Sequence, residues 1–339
     1  MTTAMRWTAD LIGTRSNIKP HVPQIARPRI RAESPLWSLR RPEIGRVVRE
    51  AIPTQPQLEA PEPLPQFEEL DLRDDPDSRT LWCYMRPKGR PSFTPSLLRE
   101  LIALRRGLQA SHGIATLPPL YFVGGSRLPN IYNLGGDLAY FAEKIRTQDR
   151  VGLREYAYDC VDVGYHMWIG FGLPIVTIAL VQGDALGGGF EGALSFNVVV
   201  AERSAKFGLP EILFNLFPGM GAYSFISRKL DAARAERMIL GGEIYTAEKL
   251  YEMGLIDILA EDGQGEEAVR AYIKRETKHH SVHRSIRAVR NRVIPLTLEE
   301  LRDVADIWVE QALTLDETSL RKMERLRSAQ ARRLVDESV

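Results

Sequence analysis

Apolar positions recur along the chain with two periods, and each period predicts a kind of element. Leu97, Leu98, Leu101, Leu104 and Leu108 fall on one stripe of a helix spanning Pro95–Ser111. The stretches Asp137–Arg146 and Arg150–Trp168 also carry helical spacing, the second long and amphipathic. Between them lie short unbroken apolar runs: Leu81–Met85, Pro119–Gly125 (PLYFVGG), Ile175–Gln182 (IVTIALVQ) and Phe196–Ala201 (FNVVVA). Runs of this length, rich in β-branched residues and closed by Gly or Pro, predict buried strands. Strands alternating with helices imply an α/β core, which we place over residues 65–260. Beyond about residue 220 the periodicity turns helical, over Thr246–Met253, Glu266–His279, Leu298–Leu313 and Glu317–Val335, and residues 261–339 read as a helical C-terminal region. Leu298, Leu301, Val304, Ile307, Trp308, Ala312 and Leu315 form the apolar face of the helix predicted over Leu298–Leu313.

Residues 1–64 break this pattern. Prolines recur too often for long helices, and the segment is rich in Arg in its first half, so an extended or partly disordered arm is expected. Its basic half reads either as a docking segment or as a solvated tail. In the whole chain of 339 residues, 44% are hydrophobic and 26% charged, with a net charge of +1. That balance is ordinary for a globular protein and offers no argument for nucleic acid. The longest mostly apolar stretch, Trp168–Val181, is shorter than the about 20 residues a membrane helix needs. No apolar segment followed by a cleavage site begins the chain, so a cytoplasmic location is expected. Cys83 and Cys160 match no metal-ligand or redox spacing and read as two buried thiols.

The chemistry concentrates in VQGDALGGGFEGALSFNVVVAERSAKFGLPEILFNLFPGMG, residues 181–221. Gly187, Gly188 and Gly189 follow a predicted buried strand and open a short helix. Glycines there allow a ligand to approach the backbone, and a helix start offers unpaired N–H donors. Glu191 and Glu211 lie in apolar surroundings, where a carboxylate needs a reason to be. Gly187, Gly189 and Gly192 also satisfy the G-x-G-x-x-G spacing of a dinucleotide site, with Glu211 as its ribose ligand. The very short helix and the adjacent Pro210 do not favour that reading. A structural ion pair to arginine is the other alternative for either glutamate.

The segments ALGGGFEGALS, FGLPEILF and PGMG, with IYNLGGDLAYF at 131–141, resemble the crotonase (enoyl-CoA hydratase/isomerase) superfamily. NLGGDLAYF, GLPEILFNLFPGMGAYSF, IWVEQALTL and SLRKMERLRSAQARR are most similar to its diffusible signal factor (DSF) synthases of the RpfF type. The resemblance covers roughly residues 66–335. It implies the crotonase (ClpP-like) spiral of β-β-α units followed by a helical C-terminal region, assembled as a homotrimer or hexamer. It implies an oxyanion hole made by the backbone N–H groups of Leu134 and Gly188, with Gly135, Gly136, Gly187 and Gly189 beside it. Glu191 and Glu211 become the paired acid and base, as in the hydratase branch, whose members carry both. Phe214, Met220, Trp308 and Leu326 fall where the family lines its acyl pocket, though core packing explains such residues equally well.

Two N–H donors on a thioester carbonyl stabilise the enolate formed when a carboxylate removes the alpha proton. We assign that proton to Glu211 and the departing β-hydroxyl to Glu191. The same cradle serves thioester hydrolysis. The resemblance therefore implies dehydration of a 3-hydroxyacyl thioester and release of a cis-2-unsaturated fatty acid signal. The alternatives are a plain enoyl-CoA hydratase and a non-catalytic scaffold for a sensor-kinase receiver domain; the retained pair argues against the last. The substrate arrives as an acyl-carrier-protein or CoA thioester, and no cofactor or metal is called for. Glu276, His280 and His283 share a helical face, but the cations around them oppose a metal ion. Arg287, Arg290 and Arg292 extend this basic stretch, which reads either as a receiver of CoA phosphates or of an acidic carrier protein, or as ordinary surface.

Overall fold

The computed structural model describes residues 66–113 and 117–336. The N-terminal arm read over residues 1–64 lies outside them. The described chain opens with an antiparallel hairpin, β1 (Leu70–Asp75) and β2 (Thr80–Met85). Helix α1 (Pro95–Ser111) follows, started by Pro95 in the first turn and by Thr94, whose hydroxyl accepts from Leu97 N–H. Then β3 (Tyr121–Ser126), β4 (Ile131–Asn133), α2 (Leu138–Arg146) and α3 (Arg150–Trp168) make the first full turn of a spiral. The next is β5 (Val176–Val181), β6 (Asp184–Leu186) and α4 (Gly188–Leu194). The third is β7 (Val198–Glu202), β8 (Lys206–Gly208), a 3-10 turn at Pro210–Phe214, α5 (Ala222–Lys229) and α6 (Ala232–Gly241). After β9 (Ile244–Thr246), α7 (Ala247–Met253) and β10 (Ile258–Ala260), the chain is helical: α8 (Gly265–Glu276), α9 (His280–Val293), α10 (Leu298–Leu313) and α11 (Glu317–Asp336).

Each turn gives one strand to each of two sheets. The six-stranded sheet runs β1-β2-β3-β5-β7-β10, parallel except at the first hairpin. The four-stranded sheet runs β4-β6-β8-β9. This is the spiral of β-β-α units that the resemblance implied. Side chains alternate across the large sheet, as strand geometry requires. Leu81, Cys83 and Met85 face the main core with the helices, while Trp82, Tyr84, Val123, Ile178 and Val200 form a second core closed by α8.

Most predicted elements match within two residues. Three differences are informative. β1, with the sequence LDLRDD, has too many charges to signal a strand; it forms because β2 offers it a full edge of hydrogen bonds. On α10, Ile307 is exposed at 62%, and Ala305 and Val309 are buried in its place. The helix packs on α3 through a narrower stripe than seven residues would fill. Glu276 and His283 are hydrogen-bonded at 2.9 Å, but His280 turns inward, edge-on to Tyr121. No group of three His, Cys, Asp or Glu residues arranged to hold a metal is found among the described residues. None of the described helices is long and apolar enough to cross a membrane.

The corner between β5 and β6 is a close backbone contact. At the β5–β6 corner, a Cβ on Gly183 would lie 1.9 Å from the carbonyl carbon of Asn130. A Gly183→Ala substitution therefore has to push β4 and β6 apart. We expect it to destabilise the fold by about 1–3 kcal/mol, read as a lower denaturant midpoint in equilibrium unfolding; an unchanged midpoint would contradict the corner packing.

Candidate active site

The triple glycine sits where β6 turns into α4. Gly187 has φ +52 and ψ −128, and its N–H is held by Gly208 O at 2.8 Å. A Cβ there would stand 2.6 Å from Glu211 Oε1, so the missing side chain lets Glu211 close onto the corner. Gly189 packs against the end of β4, where a Cβ would meet Asn133 O at 1.9 Å. Gly188, between them, is partly open and starts the helix.

Three residues after Gly188, Glu191 points inward and is 2% exposed. Its Oε1 accepts from the N–H groups of Met220 and Ala222, both at 2.9 Å. Gly221 between them has φ +122, the conformation that aims both amides at one oxygen. The PGMG segment thus clamps a carboxylate, a role that sequence reading missed. Its signal was visible, since a glycine pair flanking one residue after a buried acid suggests a tight turn made for a ligand. Glu191 Oε2 is inaccessible and has no hydrogen-bond partner. Burial pushes this carboxyl up to about 7, opposed by the two amides.

Glu211 is the second residue of the 3-10 turn and is half-buried. Its Oε2 also lacks a partner. Burial first, and the charge of Glu191 second, push it up to about 8. The two carboxyls therefore share a site in which one of them keeps its proton near neutral pH. Two amides favour the charge of Glu191 and one, its own, favours that of Glu211, which also feels the charge of Glu191, so the proton resides on Glu211.

The neighbouring turn carries the other predicted groups. Asn133 Oδ1 accepts from Gly135 N–H at 2.8 Å, and Gly135 has φ +103. A Cβ on Gly135 would fall 2.9 Å from Leu186 O and 3.1 Å from Gly188 N, so this turn lies directly on the glycine corner. The expected Leu134 donor needs correction: its N–H is engaged by Pro91 O at 2.7 Å. Gly136 N is the amide beside Gly188, 3.3 Å from where a Cβ of that residue would stand, and among the described residues it makes no hydrogen bond. The reason is the segment before α1, which pairs with the turn through Leu134 N–H and through Phe93 N–H to Gly135 O. Asp137 is 1% exposed and structural: it caps α2 through Ala139 and Tyr140 N–H and pairs with Arg90.

Two cavities meet at this point. The smaller, of about 430 Å³, holds Glu211 with Leu134, Gly135, Gly136, Gly187 and Gly188. It also gathers the predicted Phe214, Met220, Trp308 and Leu326, and adds Gln330, whose amide donates to Leu134 O. The larger, of about 710 Å³, lies on the Glu191 side. Gly136, Gly188 and Met220 belong to both. The larger wall is built from Phe93, Leu98, Phe122, Val163, Met167 and Phe196, among others. Apart from Phe196, which lies within the motif between α4 and β7, these come from α1 and the segment before it, from β3 and from α3, far from the motif, and nothing local distinguishes them from core. Gly189 lines neither cavity.

The family model described as Enoyl-CoA hydratase/isomerase matches residues 127–315. The chain is similar to 2,3-dehydroadipyl-CoA hydratase of Escherichia coli, with 32% identity over 181 residues, 52% of this chain and 64% of the relative. It is similar to the mitochondrial methylglutaconyl-CoA hydratase of Rattus norvegicus, with 28% identity over 55% of each chain. The chain thus spans just over half to under two thirds of the length of these relatives. Among solved structures, a putative enoyl-CoA hydratase from Streptomyces avermitilis superposes with a TM-score of 0.61 at 20% identity, covering 78% of this chain and 91% of the other. Pseudomonas aeruginosa DspI does so with a TM-score of 0.52 at 23% identity, covering 66% and 86%. These two likenesses concern the fold. The matched family model spans both glutamates, the glycine corner and the turn at 134–136, and on that ground the chain belongs to the enoyl-CoA hydratase/isomerase family.

Proposed function

We propose that the protein adds or removes water across the α,β-bond of an acyl thioester, with Glu191 and Glu211 as its acid–base pair. The observation that carries this reading is a buried carboxyl and a half-buried one, each with one inaccessible and unpartnered oxygen, beside backbone amides on a glycine corner. The thioester carbonyl is held by Gly188 N–H together with an amide of the 134–136 turn, Gly136 being the one not otherwise engaged. In the hydration direction Glu191, charged and clamped, takes a proton from water as its oxygen adds to the β-carbon. Glu211 then delivers its proton to the α-carbon of the enolate. In the elimination direction the roles reverse, and Glu211 removes the alpha proton while Glu191 protonates the departing hydroxyl.

A second reading follows from the sequence segments shared with signal synthases: hydrolysis of the enoyl thioester after dehydration, releasing a cis-2-unsaturated acid. One assay separates the two. Purified protein is given crotonyl-CoA and, separately, a 3-hydroxyacyl-carrier protein, and products are followed by mass spectrometry. Hydration of the first with no free acid from the second supports the hydratase alone; a free 2-enoic acid supports the second reading. No turnover of either thioester would overturn both.

Three outcomes follow from the carboxyl pair. Glu211→Gln is expected to lower kcat by about 10²–10⁴-fold in a stopped-flow hydration assay, the range of a positioned acid or base. The singly protonated pair is the competent form. kcat/KM against pH should therefore be a bell, falling on the acid side as Glu191 gains its proton, near 7, and on the alkaline side as Glu211 loses its own, near 8. A flat profile across this range would contradict the assignment. Finally, both carboxyls are raised in the folded state, so the stability they contribute is present below the ordinary Glu range and is lost as pH rises through the raised values. Glu211→Gln should accordingly melt above the wild type at about pH 9, with the gap closing towards about pH 5.

A further inference from the structure

Helix α3 presents Cys160, Val163, Gly164 and Met167 to the larger cavity, the stripe expected of one helical face. Gly164 is the member without a side chain, and it lies well inside the helix, where glycine is less favourable than alanine. Packing does not require it. A Cβ at Gly164 would have Phe225 Cζ at 3.6 Å and Ser195 Cβ at 3.8 Å as its nearest neighbours, which is ordinary contact. Its backbone is not in the left-handed region either. The other glycines of this wall differ. A Cβ on Gly124 would stand 2.6 Å from Phe196 Cζ, and one on Gly192 3.0 Å from Phe93 Cζ, so packing accounts for both. What the bare position at 164 leaves is room in the cavity.

Interiors of folded proteins contain few voids larger than a water molecule; of the about 710 Å³ this apolar-lined space spans with its opening to solvent, about 60 Å³ is open to the centre of a water-sized sphere, room for an occupant larger than one water. Glu191 is the charged side chain in that lining, and Gly136 and Gly188 stand in the same wall. A thioester carbonyl held at those glycines would have its chain directed past Glu191 into the apolar space. We propose that the Glu191-side cavity receives the aliphatic tail of the acyl thioester and that Gly164 sets the length of tail it admits. This rests on the acyl-thioester reading above. It places the tail across the dyad from Phe214, Trp308 and Leu326, with Met220 touching both sides.

The test uses the full chain and saturated thioesters, which neither gain nor lose water and so leave the dyad idle. Binding of butyryl-CoA and dodecanoyl-CoA is measured by calorimetry for the wild type, Gly164→Ala, Gly164→Leu and Val163→Phe, the last filling the same space from the next position. Expected is a roughly tenfold or greater loss of dodecanoyl-CoA affinity in Gly164→Leu and Val163→Phe, with butyryl-CoA within about twofold of the wild type. Gly164→Ala should melt higher than the wild type. Unchanged dodecanoyl-CoA binding in either folded bulky variant overturns the cavity assignment and leaves the thioester reading standing. If neither CoA thioester binds the wild type, free dodecanoate is titrated in the same series. A bulk-sensitive response then supports the cavity while the thioester reading fails, and no response overturns the cavity assignment.

Discussion

Backbone meets backbone where the Asn133–Gly136 turn lies on the start of α4, and the site depends on that contact. A side chain on Gly135, Gly188 or Gly189 would wedge the two segments apart, since each Cβ would fall on the opposing main chain. Closeness here has two effects. It brings amides from two different spiral turns to one small volume at the junction of the two cavities, and it sets Glu191, one helical turn on, in the wall of the larger one. The same closeness recurs at Gly187, where the absent side chain admits Glu211. A single corner thus positions donors and acids together.

The carboxyls are held against their own solvation. Burial raises both, and the charge on one raises the other, so the pair carries a proton at a pH where exposed glutamates carry none. Two amides on Glu191 break the symmetry and decide which of them holds it. The fold gives up stability at neutral and alkaline pH in keeping this arrangement. The unpartnered Oε2 atoms belong to the same account, because an oxygen satisfied by the protein would have nothing to offer a substrate.

Around this centre the two cavities have different origins. Trp308 and Leu326 reach the Glu211 side from α10 and α11, and Gly219 makes way for the Trp308 ring. The Glu191 side is hollowed from the main core itself, between α1, α3 and the large sheet. Charges are excluded from that wall apart from Glu191, so whatever enters it is apolar along its length.

Much was legible along the chain. Helical and strand periods located α1, α3 and α10 to the residue, since long amphipathic stretches have one way to bury their apolar stripe. The glycine run and both glutamates stood out because each violates a local expectation: glycine at a helix start, and acids among apolar neighbours. Spatial choices were not legible. Leu134 and Gly136 are near neighbours in one turn, and only the pairing of Pro91 with that turn decides which of the two amides is left without a partner among the described residues. Likewise Val163, Gly164 and Met167 read as an ordinary helix face, because a period records which side of a helix is apolar but not whether atoms or empty space lie against it. Sequence by itself determined the elements and the chemical groups, through local geometry and the cost of burying charge. Tertiary structure decided which amides were left unpaired and where the interior was left unfilled, because both depend on contacts between segments distant along the chain.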